Sequence, residues 1–118
     1  TRVFGVYEDL SGNEWILSDN GLGMLAAGQT TPASYFVDAA EREKKGGQAF
    51  YSCLEYDSEI YFGSDNGRVW CYQKENGQFQ LQNLPASSRI VSINSVEGNE
   101  LIFTTAKDGF FSYHSTSQ

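Results

Sequence analysis

The chain has 118 residues, enough for one domain that buries about two-thirds of its unfolded surface. Eight Phe, seven Tyr and two Trp beside only two Pro make a β-rich composition, not a disordered one. The formal net charge of −7 argues against nucleic acid and membrane surfaces as partners, and no apolar run approaches the ~18 residues of a membrane span.

In chain order, the first strand signal holds Val3 and Val6, apolar residues three apart, and the polar turn Asp9-Leu-Ser-Gly-Asn13 follows. Trp15-Ile-Leu-Ser then runs into Asp19-Asn20-Gly21, residue types that suit the positive φ of a tight hairpin, and Leu22 to Ala26 returns. A further strand is expected over Ser34-Tyr-Phe-Val-Asp38. Ala39-Ala-Glu-Arg-Glu-Lys-Lys45, closed by Gly46-Gly47, has helix-compatible residues of mixed charge and predicts a short helical turn or solvated loop in an insertion over 28–48. The unit then recurs with Phe50 and Cys53, the turn Tyr56-Asp-Ser58, Tyr61-Phe-Gly-Ser-Asp-Asn-Gly67 and Arg68 to Tyr72, followed by Gln78-Phe-Gln-Leu81. A third copy has Ile90 and Ile93, the turn Glu97-Gly-Asn99, Phe103-Thr-Thr-Ala-Lys-Asp-Gly109 and Phe110 to His114.

In each copy an aromatic residue stands six positions ahead of a turn glycine, and Gly21, Gly67 and Gly109 lie 46 and 42 residues apart. That period belongs to stacked supersecondary units. Apolar residues three apart fit strands covered on both faces, the condition of a sheet stacked between two others. The expected fold is all-β: a β-propeller fragment of about three four-stranded antiparallel blades, over 1–27, 34–73 and 78–115, with the first blade lacking its first strand. Three blades leave two apolar sheet faces bare. The expected partners are therefore the remaining blades of a longer parent or a second copy, two three-blade arcs making a six-blade ring. Without a signal peptide or an initial Met, the chain reads as a mature or excised piece of a longer protein.

Chemistry is harder to find. Cys53 and Cys71 have no Cys-x-x-Cys spacing and read as small apolar residues on the second and fourth strands of one sheet, unbridged. Trp15 shares its repeat position with Tyr61 and Phe103, which points to packing between blades. Trp70 has Met24 and Ser112 at its position in the other copies and, lacking an aromatic counterpart, is the candidate ligand contact, although packing also accounts for it. Asp19-Asn20, Asp65-Asn66 and Lys107-Asp108 fall where turns want Asp and Asn for backbone reasons. His114, the one histidine, has no metal-ligand or catalytic cluster at useful spacing. Gly21-Leu-Gly23 lacks the βαβ setting of a dinucleotide fingerprint, and Asp65-Asn66-Gly67 lacks the downstream Glu of a calcium loop. No catalytic residue, cofactor or metal is expected.

The first copy, Val3-Phe-Gly-Val-Tyr-Glu-Asp9 through Gly12-Asn-Glu-Trp-Ile-Leu-Ser-Asp-Asn-Gly-Leu22, resembles the regulator propeller repeat of two-component systems. Tyr61-Phe-Gly63-Ser64 stands for that repeat's W-I-G-T, Tyr72-Gln-Lys-Glu-Asn-Gly77-Gln-Phe79 for its Y-D-x-x-T-G-x-F link, and Leu84-Pro85-Ala-Ser-Ser-Arg-Ile90 for its L-P-x-x-x-I run. The third copy departs, with Thr104-Thr105 in place of Ile-Gly. The resemblance covers the chain except Gln29 to Gly47. It implies part of a periplasmic sensor domain of a hybrid histidine kinase, a non-catalytic propeller segment whose parent senses oligosaccharide, with the kinase outside this chain. A scaffold propeller that binds protein and no small ligand is the alternative.

Overall fold

The computed structural model describes residues 2–19, 21–30, 33–35, 49–65, 67–97 and 100–114. Among them are eleven strands and no helix, so none is long and apolar enough to cross a membrane. The chain divides into two compact units, residues 1–51 and 52–118. The turn expected over Ala39–Lys45 lies outside the described residues.

The first unit holds an antiparallel sheet in the order β1 (Val3–Glu8), β2 (Glu14–Ser18), β3 (Gly21–Leu25) and β4 (Ala33–Tyr35). Trp15 and Leu17 alternate with half-buried Ile16, and Leu22 joins them in the buried set. The turn before β2 is built on buried Asp9. Its Oδ1 accepts hydrogen bonds from the backbone N–H groups of Ser11 and Asn13, at 2.9 and 3.0 Å. Its Oδ2 accepts from the Trp15 indole at 2.9 Å. One carboxylate thus shapes a turn and satisfies the only polar atom of a wholly buried ring.

The second unit is built on two antiparallel sheets. One runs β5 (Phe50–Tyr56), β6 (Glu59–Ser64), β7 (Arg68–Gln73), β8 (Gln78–Asn83); in the other, β10 (Glu100–Thr105) lies between β9 (Ile90–Val96) and β11 (Phe110–His114). Tyr61, Val69 and Cys71 from the first sheet and Ile90, Ile93, Leu101 and Phe103 from the second form one buried cluster. Burying side chains of this size contributes about 1.5–3 kcal/mol each. Gly63 lets the sheets close up: a Cβ there would stand 2.6 Å from the Ile90 Cβ and would also strike the Ser52 hydroxyl. That hydroxyl donates to the Ile90 carbonyl at 2.9 Å across the same gap.

The all-β, three-blade architecture is as the sequence implies, but the phase of the strands is not. Leu22 pairs with Tyr35 and Gly23 with Ser34, while Trp70 pairs with Leu81. The strands at Ser34 and Gln78 therefore complete the blade before them instead of opening the next. Among the described residues the three-stranded sheet is the last one, and the first blade has four strands. Residues 74–77 form a tight turn that returns β8 to β7, whereas residues 84–89 are held on the β6–β7 turn by Leu84 N–H on the Gly67 carbonyl and Gly67 N–H on the Ser88 carbonyl, which carries the chain to the next sheet. Cys53 and Cys71 accordingly occupy the first and third strands of their sheet, both as free thiols.

The third copy is also offset by one residue. Ser18, Ser64 and Thr105 end the equivalent strands β2, β6 and β10. The Ser18 and Thr105 hydroxyls each donate to the carbonyl of the turn glycine, Gly21 at 2.9 Å and Gly109 at 2.8 Å. Counted back from these ends, the counterpart of Trp15 and Tyr61 is Ile102, and Phe103 matches Phe62. The third turn holds one more residue between strand end and glycine, which restores the spacing of six by coincidence.

Candidate ligand-binding rim

At one end of the second unit three segments meet: the β6–β7 turn, the link of residues 84–89, and the β10–β11 turn. Backbone hydrogen bonds stitch the link on both sides. Gly67 N–H donates to the Ser88 carbonyl at 2.9 Å and Leu84 N–H to the Gly67 carbonyl at 2.8 Å, while Ala106 N–H donates to the Arg89 carbonyl at 3.0 Å. Gly67 has φ +70, and a Cβ there would lie 2.7 Å from the Ala86 carbonyl oxygen and 2.9 Å from that of Leu84. Only glycine fits.

Asp108 completes the frame. Its Oδ2 accepts from the Ser88 hydroxyl at 2.6 Å and from the backbone N–H groups of Ser88 and Ser87 at 3.0 and 3.1 Å. The Ser88 hydroxyl in turn accepts from Lys107 N–H at 3.1 Å. Hydrogen bonds from the Ser88 side chain and the Ser87 backbone hold the Asp108 carboxyl below the usual carboxylate range. The resulting cleft has a volume of about 270 Å³ and is lined by Asp65, Ser87, Ser88, Arg89, Ala106 and Lys107. It thus carries two cations, one carboxylate and two hydroxyl side chains on a fixed backbone.

The opposite end of the first sheet of this unit is different in kind. There a cleft of about 260 Å³ is lined by Asp57, Ser58, Glu59, Gln73, Lys74 and Glu75. Its cation is engaged: Lys74 Nζ lies 2.6 Å from the Glu55 carboxylate, whose side chain is 4% exposed. Asp57 and Ser58 both adopt positive φ, 55 and 68, the mirror-image hairpin conformation that Ser takes at some cost.

Trp70, the candidate contact read from sequence, lies at neither end. It sits in mid-strand on β7, 5% exposed, opposite Phe62 and Leu81. Because Phe103 matches Phe62, the counterpart of Trp70 is Phe111, which pairs with Phe103. The lack of an aromatic counterpart that singled it out therefore disappears. Its indole nitrogen has no hydrogen-bond partner among the described residues. Trp15, by contrast, is wholly buried, as packing requires. Burial pushes the thiol of Cys53 up to about 11 and, helped by the Glu59 charge, that of Cys71 to about 12, so neither is a nucleophile near neutral pH. Among the described residues no group of three His, Cys, Asp or Glu is placed to hold a metal ion. The side chain of His114 lies outside what is described. Arg89 and Lys107 were not legible as a pair, because nothing in the repeat brings a link and the following turn together.

No protein-family model matches the chain, and no curated protein does. Solved structures do. The extracellular domain of BT4673 from B. thetaiotaomicron, described in one structure as a one-component and in another as a hybrid two-component system, superposes with TM-scores of 0.82 and 0.83 at 15% identity. The match covers 98% of this chain and 15% of that one, so the chain spans about one-seventh of its neighbour's length. The computationally designed Ika4 protein matches with TM-score 0.65 and 8% identity over 95% of this chain and 65% of its own. These likenesses establish the fold: an all-β propeller fragment similar to part of an extracellular sensor domain.

Proposed function

We propose that this chain is a non-catalytic segment of an extracytoplasmic ligand-sensing β-propeller in a two-component signalling sensor, located in the periplasm, and that its parent recognises oligosaccharide. The observation that supports this reading is the match of 98% of the chain to the extracellular domain of a two-component system. A site of the right kind accompanies it. The rim cleft is polar, prebuilt by backbone hydrogen bonds and small, below the ~300–1,000 Å³ of pockets for drug-sized ligands, which suits one sugar ring of a longer chain. One carboxylate, Asp65, lines the cleft, whereas acid–base cleavage of a glycosidic bond uses a pair, which supports binding over catalysis.

In the same proposal, the face opposite the core in the last sheet packs against further blades of a longer protein or a second copy. Val96 is 44% exposed and Phe110 70% exposed, the kind of surface a neighbouring blade covers. Signal would then pass from propeller to membrane helix to a histidine kinase beyond this chain. A thermal-shift screen against neutral and acidic glycan fragments tests the reading, since a ligand that binds only the folded state raises its melting temperature. A rise with at least one glycan is expected. No shift with any glycan, together with co-purification of a protein partner on the bare face, would replace it with the scaffold reading.

A further inference from the structure

We infer that the rim cleft of the second unit selects an acidic saccharide, one that places a carboxylate or sulfate group between Arg89 and Lys107. This rests on the oligosaccharide reading above and narrows it. The chain carries a net charge of −7, yet two of its eight cationic Lys and Arg residues line one cleft of about 270 Å³. Neither position calls for a cation on backbone grounds. The turns of the first two copies begin with Asp19 and Asp65, whereas the third places Lys107 beside its own Asp108. Asp108 ties this turn to the link by accepting three hydrogen bonds from Ser87 and Ser88, a tie in which the Lys107 side chain takes no part.

Both cationic residues are anchored through the main chain. The Arg89 carbonyl accepts from Ala106 N–H, and Lys107 N–H donates to the Ser88 hydroxyl at 3.1 Å. Their backbones are thus held in place before a ligand arrives, so that binding has only the two side chains left to order. A guanidinium and an ammonium lining one cleft provide charge-assisted donors for a planar carboxylate or a tetrahedral sulfate. Asp65 on the same wall decides against a bare inorganic anion, which it would repel, and in favour of a ligand that also carries hydroxyl donors. An acidic sugar has both.

The test is isothermal titration calorimetry of the full chain with trigalacturonate (carboxylate only), a sulfated carrageenan tetrasaccharide (sulfate only) and neutral galactotetraose. At least one acidic probe is expected to bind, more weakly as NaCl rises, and tenfold or more weakly to the Arg89→Gln/Lys107→Gln double variant. Lys107→Arg is expected to retain binding. Both residues are exposed, and melting temperatures measured beside the titrations establish that the variants are folded. The arm that responds tells carboxylate from sulfate. Binding of galactotetraose with both acidic probes silent would overturn this inference and leave the oligosaccharide reading standing. Silence from all three would overturn both, and acidic binding undiminished in the double variant would overturn the assignment to this cleft.

Discussion

The two ends of the second sheet are made from the same strands and solve different problems. At the 57–58 and 74–77 end each turn is a self-contained hairpin, and its polar groups are consumed within one sheet: Lys74 on Glu55, Asn76 on Gln73 and on Gln78 N–H. At the other end the β6–β7 turn is tied through residues 84–89 to the next blade, and the ties are backbone groups and one carboxylate. The difference teaches where a repeat protein can hold a ligand. A hairpin tip satisfied by itself offers charge without fixed geometry. A link clamped between two blades holds its backbone at a set spacing from the neighbouring turn.

Substitutions can break this contrast. The largest effect is expected at Gly67→Ala, which combines a left-handed backbone with carbonyl oxygens at 2.7 and 2.9 Å from the new Cβ. A loss of about 2–4 kcal/mol in denaturant unfolding is expected. A change under ~0.5 kcal/mol would mean that the clamp yields easily. At the opposite end, Lys74→Met removes the partner of a nearly buried carboxylate and should cost about 1–3 kcal/mol, without altering ligand binding at the rim. Ser58→Gly should stabilise by about 0.5–1 kcal/mol in the same measurement, because glycine adopts φ near 68 without strain. Asp108→Asn tests the clamp through pH. The folded carboxyl is held below its ordinary value, so its contribution is present above the unfolded pKa of ~3.9 and lost as pH falls through the lower folded value. Melting temperatures of parent and variant should therefore differ at neutral pH and converge in strong acid; equal values throughout would show that Asp108 ties nothing.

Much of the fold was legible because hairpin chemistry is local. Asp, Asn and Gly at the turns and the recurrence of Trp15 and Tyr61 announce antiparallel hairpins at a fixed period. Which sheet a link strand joins is not local, since Ser34-Tyr35 alternates equally well against either neighbour. Length does not decide it either, since residues 26–32 return to their own sheet while the shorter run of residues 84–89 passes to the next. The offset at Phe103 arose because a one-residue insertion in the third turn was compensated in the count to Gly109, although it exchanges the two faces of β10. Of the site, the turns were visible, but the carboxylates of Asp19 and Asp108 bond outside them, to Arg2 N–H and to Ser87 and Ser88, and Asn20 and Asn66 lie outside the described residues. The pairing of Arg89 with Lys107 depends on the Asp108–Ser88 tie between two blades, a contact across 20 residues that neither periodicity nor spacing encodes.

A ligand is expected to engage the clamped rim and not the hairpin end. Amide chemical-shift mapping by NMR during titration with trigalacturonate tests it most directly. The largest shifts are expected at Gly67, Ser87, Ser88, Arg89 and Lys107, with Asp57, Ser58 and Lys74 unmoved. Shifts gathered at Asp57, Ser58 and Lys74, or spread over Trp70 and its strand with the rim silent, would contradict it.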